Sequence, residues 1–321
     1  MNVLKSWLRR QPLWVRVQEL NREGWSQVLK RRRYQRQILG TGPIRTLPVG
    51  ESPVEIRTVT YRRDWINAIW AIKSFLHQAG VQYPVVFHDG GLLPGQDREL
   101  LRHFPDAQVI SRADGDARML ALLEERGKPH CAEMRRTHVM ARKLFDLHLL
   151  STAETVITID SDVLFFRRPT DLIRPEGGWP VNLYNGDAGH WYTMELDDLE
   201  AKVGVRPPVF LNAGLAVVRR ESIDLDRIEQ WLSVPEMWQG DPWLLEQTLH
   251  ALCSTVHGIA LLPSTYLVST EPGLPADLIS KHYPGFFRPL LYQEGMARLI
   301  ESGFLDRLRE QPLGVASAVS A

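Results

Sequence analysis

Asp160 and Asp162 stand one residue apart at the end of the apolar run 155–159, within "TVITIDSDVLF". On an extended segment, side chains at i and i+2 point to the same side. Two carboxylates so placed repel, and each raises the pKa of the other unless positive charge lies between them. Paired oxygen donors at a strand end suit a hard divalent cation, Mn2+ or Mg2+, with positions left over for phosphate oxygens. The plainer uses of such a pair are an N-cap or an ion pair. Further on, "KHYPGFFRPL" contains the pattern His282-x-x-Gly285-x-x-Arg288. A neutral imidazole at His282 could complete the coordination of a metal already held by two carboxylates. Gly285 permits close backbone approach, and Arg288 offers a forked donor suited to phosphate. "VFLNAGLAVVRR" supplies Asn212, whose amide both donates to and accepts from sugar hydroxyls. Ala213 and Gly214 beside it leave room for a ligand. "LLEQTL" places Glu246 and Gln247 on a helix, and Asp89 ends the run "YPVVFHDGG" as a further nucleotide-binding candidate.

The elements that must position these groups alternate. Residues 54–61 predict a strand, and 65–79 a helix capped by Asp64 and ended by Gly80. Then come a strand running into Asp89, a helix in "PGQDRELLRHF", the short strand "AQVI", a helix over roughly 134–150, and the strand 155–159. Residues 209–220 predict a strand around a small-residue turn. Residues 241–252 predict a helix with Asp241 as N-cap and Pro242 at its first position, and 281–290 a loop. Alternating strands and helices indicate an α/β fold with a mostly parallel sheet. In such sheets ligands collect beyond the carboxyl ends of the strands, where Asp160 and Asp162 lie.

The chain has 321 residues, 44% hydrophobic and 24% charged, the composition of a globular protein with ample length for a core. Two cysteines, Cys131 and Cys253, exclude a disulfide framework and a Cys-x-x-Cys metal site. The net charge is zero but unevenly spread: residues 1–45 hold eleven Lys/Arg and two Asp/Glu, and the remainder 27 and 36. We divide the chain into a basic helical arm and linker (1–45), a main domain (46–310) and a frayed tail (311–321). The arm carries Trp7, Trp14 and Trp25 and an apolar stripe including Val28 and Leu29, which suits an anionic membrane surface. Packing on the acidic body, or self-association, is the alternative. The acidic remainder argues against nucleic acid as a partner. No segment approaches the ~18 apolar residues of a spanning helix, and the start lacks a signal-peptide run, so the expectation is a cytoplasmic protein, peripheral at most.

In this order, the motifs resemble the GT-A glycosyltransferases, above all family 8, the glycogenin and lipopolysaccharide galactosyltransferase type. The resemblance covers roughly residues 54–292. Asp160 and Asp162 match the family's Asp-x-Asp, Asn212 to Gly214 its Asn-Ala-Gly, and Glu246–Gln247 its Asp-Gln pair. His282 through Leu290 is similar to its His-x-x-Gly-x-x-Lys-Pro-Trp loop, with Arg for Lys and Leu for Trp. The resemblance implies a GT-A, Rossmann-like fold in a single domain and a metal-dependent hexosyltransferase. Its donor would be a nucleotide-diphosphate sugar, UDP-linked; its acceptor, a glycan, lipid-linked glycan or protein, is not specified. It further implies that Lys143, in "RKLFDL", contacts the donor, that Asp160, Asp162 and His282 hold the ion, and that Gln247 lies near the anomeric carbon in a retaining reaction. Glu246 is the alternative there, as base or nucleophile. Two other classes fit parts of the pattern. A haloacid-dehalogenase-like phosphatase also carries Asp-x-Asp after a strand, though near the chain start and without Leu164 at the fifth place. A non-catalytic nucleotide-sugar-binding protein would keep the site and not turn over.

Overall fold

The computed structural model describes residues 24–285 and 288–310. The arm's first half (1–23), the tail (311–321) and the two phenylalanines of the 281–290 segment lie outside the described residues. Strands β1 (Val54–Tyr61), β2 (Val85–Gly91), β3 (Gln108–Ile110), β4 (Thr155–Ile159), β5 (Val163–Phe165), β6 (Asn182–Asn185), β7 (Asn212–Arg219), β8 (Ile259–Leu261), β9 (Tyr266–Val268) and β10 (Ser280–His282) form two sheets. The larger has the order β3-β2-β1-β4-β7-β6-β8, and the smaller is β5-β10-β9. In the larger sheet only β7 runs against the rest. The fold is therefore α/β with a mostly parallel central sheet, as the alternation predicts.

The long parallel strands are buried on both faces, which explains their near-continuous apolar runs. β1 is the exception in chemistry: Glu55 and Arg57 are buried and paired at 2.8 Å, and Ser151 donates to Glu55. Helix α1 (Trp25–Leu39) buries Val28 and Ile38, while α2 (Trp65–Ala79) packs Ile69, Trp70, Ile72 and Phe75 into the same core. Gly80 ends α2 in a left-handed conformation (φ 67°), a position where glycine carries no Cβ penalty.

Several expectations need correction. The single helix expected over 134–150 is three pieces, α3 (Pro129–Thr137), α4 (Ala141–Leu144) and α5 (Asp146–Leu149). A straight helix would separate Arg135 from Arg142 by about 10 Å of rise; the break lets both reach Asp116, at 2.7 and 2.6 Å. Asp64 precedes α2 but makes no capping hydrogen bond; its carboxylate pairs instead with Arg288 at 2.9 Å, a charge-assisted contact stronger than a cap. Asp241, before helix α6 (Pro242–His257), likewise makes no side-chain cap. β7 runs through Ala213 and Gly214 without a turn, and Lys281 and His282 are strand, not loop. Val28 and Leu29, expected on one apolar stripe, part company: Val28 is buried and Leu29 exposed. Residues 41–45, expected as linker, dock on the body: Lys73 donates to Thr41 Oγ1 at 2.9 Å and to the Gly42 carbonyl.

Candidate metal and diphosphate site

Strand pairing brings the motifs together. β4 ends at Ile159, and the chain turns through Asp160–Asp162 into β5 of the smaller sheet. β10 pairs antiparallel with β5, setting His282 opposite Val163, and the Tyr283 amide donates to the Asp162 carbonyl at 3.0 Å. On the other side β7 pairs with β4, and the Asp160 amide donates to the Gly214 carbonyl at 2.7 Å. Asp160, Asp162 and His282 thereby present ligand atoms that all lie within 4.8 Å of one another.

His282 is held tightly. Its Nδ1 lies 2.8 Å from Asn212 Oδ1, which also accepts from the Gly214 amide at 2.9 Å, while Asn212 Nδ2 donates to Asp187 at 2.8 Å. The amide oxygen can only accept, so Nδ1 carries the proton and donates. Nε2 then faces Asp162 Oδ1 at 3.2 Å, an oxygen that is buried with no hydrogen-bond partner. Either a proton or a metal ion has to lie between these two atoms. Two carboxylates and an imidazole with its second nitrogen tied to an outer partner fit a divalent transition metal. The expectation that Gly214 leaves room for a ligand is corrected in one respect: a Cβ there would stand 2.2 Å from His282 Cε1, so the ring fills that room.

Two side-chain cations flank the triangle. Lys143 Nζ lies 2.9 Å from Asp160 Oδ2 and 3.8 Å from Glu246 Oε1. Arg288 Nε lies 2.6 Å from Asp162 Oδ2, and its Nη1 reaches Asp64. Burial pushes the Asp160 carboxyl above its usual pKa, with Lys143 working against the rise. Burial also works on Asp162, but Arg288 and His282 overcome it and hold that carboxyl below its usual range. Burial opposes charge on Lys143, yet Asp160 and Glu246 raise it above the ordinary lysine value. Glu246, fully interior, is held below its usual value because Lys143 and His250, 3.3 Å away, outweigh burial. Four carboxylates (Asp64, Asp160, Asp162, Glu246) against two fixed cations leave the cluster anionic.

The other candidates sit as follows. Gln247 donates from Nε2 to the Trp191 carbonyl at 3.0 Å. Gly285 adopts φ 108° with nothing near its α-carbon. Asp89 Oδ1 accepts from the Gly91 and Leu92 amides, both at 2.6 Å, so this oxygen closes a turn. That turn walls a groove of about 330 Å³ lined by Tyr61, Arg62, Arg63, Asp64, Gly90 and Gly91, at the ends of β1 and β2. Sequence reasoning missed this groove. The adjacent "YRRD" and "DGG" at two strand ends were the available signal. It also missed His250 and Asp187, which carry no motif.

No family model matches the chain, and no curated protein matches it. Solved structures do. The galactosyltransferase LgtC in complex with donor and acceptor sugar analogues aligns at 14% identity and TM-score 0.51, over 82% of this chain and 98% of that one. An active-site Gln-to-Glu mutant of LgtC aligns at 14% identity and 0.53, over the same shares. This chain has the GT-A fold. The apo WbbM bifunctional glycosyltransferase aligns at 14% and 0.51, over 83% of this chain. The chain spans about half, 53%, of the WbbM chain it matches. Among its described residues, this GT-A chain has no helix long and apolar enough to cross a membrane.

Proposed function

We propose that the protein is a metal-dependent glycosyltransferase that moves a hexose from a nucleoside-diphosphate sugar, UDP-linked, with retention. The observation that carries this is the Asp160–Asp162–His282 triangle, with its unpartnered Asp162 oxygen, at the carboxyl end of the central sheet. It stands on the fold of LgtC, solved with donor and acceptor sugar analogues. Asp160, Asp162 and His282 would hold Mn2+ or Mg2+, which supplies positive charge to the departing diphosphate. Lys143 and Arg288 add fixed charge at the same place, where negative charge grows as the glycosidic bond breaks. Gly285 permits close backbone approach to phosphate. The groove beside Tyr61 takes the nucleoside, with Asp89 shaping its wall. Asn212 orients His282 and, through Asp187, borders the donor sugar; Gly214 admits the imidazole. Glu246, a buried anion one lysine away from Asp160, meets the developing positive charge at the anomeric carbon. Gln247 is set beside it.

The test is UDP release from UDP-glucose and UDP-galactose, with Mn2+ and after chelation. Release that needs the metal and is lost in Asp162→Ala supports the reading. Calorimetry should show Asp162→Ala losing more than the 10–100-fold in metal affinity typical of outer-partner changes. UDP binding without release would make this a binding protein, and hydrolysis of p-nitrophenyl phosphate a phosphatase.

A second surface bears on location. α1 turns Val28 and Ile38 inward and leaves Trp25, Leu29, Arg32, Arg33 and Arg36 exposed on one side. We infer that this side meets an anionic membrane surface, where each basic residue is worth about 1 kcal/mol.

A further inference from the structure

Trp191 and Trp243 are 48% and 38% exposed, although large aromatics are usually covered. Their ring centroids lie 6.0 Å apart with planes at 57°, an open wedge rather than a closed stack. The wedge is fixed in place. A Cβ on Gly189 would stand 2.8 Å from Trp191 Nε1, so that indole is folded down on a bare α-carbon. The Trp191 carbonyl accepts from Gln247, and the Thr193 amide donates to Thr248 at 3.0 Å, pinning the 190–193 loop to α6. Trp243 stands one helical turn before Gln247 on the same helix, hence on the same side. Neither indole N–H has a hydrogen-bond partner among the described residues.

Sheet order gives this wedge a meaning. The groove at Tyr61 and Gly91 lies at the ends of β1 and β2, on one side of β4. The segment bearing Trp191 follows β6, on the other side. The Asp160–Asp162 site sits between them at the end of β4. A nucleoside on the first side puts a bound donor's sugar toward the second, where the wedge waits. A pyranose ring has an apolar C–H face and a rim of hydroxyls. Flat aromatic faces with unpaired N–H donors at their edges match both, and a few oriented polar groups among aromatic walls are the usual make-up of a small-ligand site.

We propose that Trp191 and Trp243 form the acceptor subsite, and that the acceptor is a glycan whose terminal uncharged pyranose lies on the two indoles. This rests on the transferase reading of the neighbouring site for its direction, but not for its saccharide chemistry. Gln247 then holds the platform's backbone through its Nε2.

The test combines saturation-transfer NMR on lactose, maltose, cellobiose and diacetylchitobiose with calorimetry of UDP and Mn2+ on the same samples. In the wild-type chain at least one disaccharide should receive saturation at its ring C–H protons. Trp191→Ala and Trp243→Ala should weaken saccharide binding about tenfold, the scale of one to two aromatic contacts. Trp243→Phe should retain most of it. UDP affinity with Mn2+ should stay within about twofold in all three, since the donor groove is elsewhere. If no disaccharide binds the wild type, or the alanine variants bind saccharide unchanged, the platform is wrong. If the variants instead convert a sedimenting dimer to monomer with saccharide binding unaltered, the wedge is a self-association face and the proposal falls. If the wild type binds saccharide but not UDP, and the alanine variants lose the saccharide, the platform stands and the transferase reading alone is overturned.

Discussion

Gly214→Ala is a small perturbation with a large expected effect. Gly214 does not adopt a positive φ, so the backbone accepts alanine and the cost is purely steric. The new Cβ would lie 2.2 Å from His282 Cε1 and 2.7 Å from Nδ1, where ordinary contact begins near 3.4 Å. The imidazole must therefore retreat by about 1 Å or more. The strand cannot move instead, because the Gly214 carbonyl holds the Asp160 amide at 2.7 Å. Retreat stretches the 2.8 Å hydrogen bond to Asn212 that fixes the tautomer. Metal–ligand distances tolerate only about 0.2 Å, so His282 leaves the coordination set. Mn2+ affinity should fall by more than about 100-fold, beyond the range for a lost outer partner. Overpacking should also cost about 1–3 kcal/mol of stability. Gly90→Ala separates the two effects. Its Cβ would meet Tyr61 Cε1 at 2.5 Å, a comparable clash away from the three ligands. It should lower the melting temperature similarly and leave affinity for Mn2+ alone nearly unchanged. Calorimetric titration of Mn2+ into both variants decides. Affinity for Mn2+ within about threefold of wild type in Gly214→Ala would refute the ligand role of His282.

Arg288→Ala should split two readouts: bare Mn2+ should bind more tightly, because a competing cation leaves Asp162, while UDP-sugar turnover drops by about 2–4 kcal/mol of transition-state stabilisation. Equal falls in both would assign Arg288 to structure. Burial lowers Lys73 from 10.5 to about 7. Between these values the unfolded chain holds a proton that the folded chain lacks, so stability should rise with pH across that window, by up to about 5 kcal/mol. Thermal melts of Lys73→Met should be flat there; a wild-type slope in the variant would remove Lys73 as the cause. Reversing Arg32, Arg33 and Arg36 to Glu should abolish pelleting with anionic vesicles and leave the fold intact. Pelleting that persists, or a wild type that never pellets at low salt, ends the membrane assignment. Truncation at Gly42 is the poorer test, since it deletes the buried Val28 and Ile38 and uncovers the surface they pack on.

The sequence made the sheet legible because its strands are short apolar runs between turn signals, and periodicity reports burial directly. β1 was expected at 54–61 and is found there. It made the candidate cluster legible through the order of weak motifs, not through any one of them. What it hid is tertiary. The break in the 134–150 helix depends on two arginines sharing Asp116, an interaction at a separation no local window sees. The place of Gly214 depends on an imidazole 68 residues away. Trp191 and Trp243, 52 residues apart, meet only because the loop after β6 is hydrogen-bonded to α6.

Electrostatics explains how the paired aspartates can be buried side by side. Their spacing calls for positive charge between them. Side chains supply part of it, and each aspartate has its own partner. Lys143 serves Asp160 and is shared with Glu246; Arg288 serves Asp162 and is shared with Asp64. Sharing leaves both halves short of neutrality, so the carboxylates are stabilised enough to be buried but keep a net affinity for added positive charge. The two halves also differ. Burial dominates at Asp160 and raises its pKa, whereas Arg288 and His282 dominate at Asp162 and lower it. A metal arriving at the triangle must compete with Arg288 at Asp162 but finds Oδ1 of that residue unpartnered. Arg288, displaced from one oxygen, would still be anchored by Asp64 at 2.9 Å and so remain beside the site as a donor for phosphate. Removing that anchor with Asp64→Ala should therefore mimic Arg288→Ala in turnover while leaving the three candidate ligands in place.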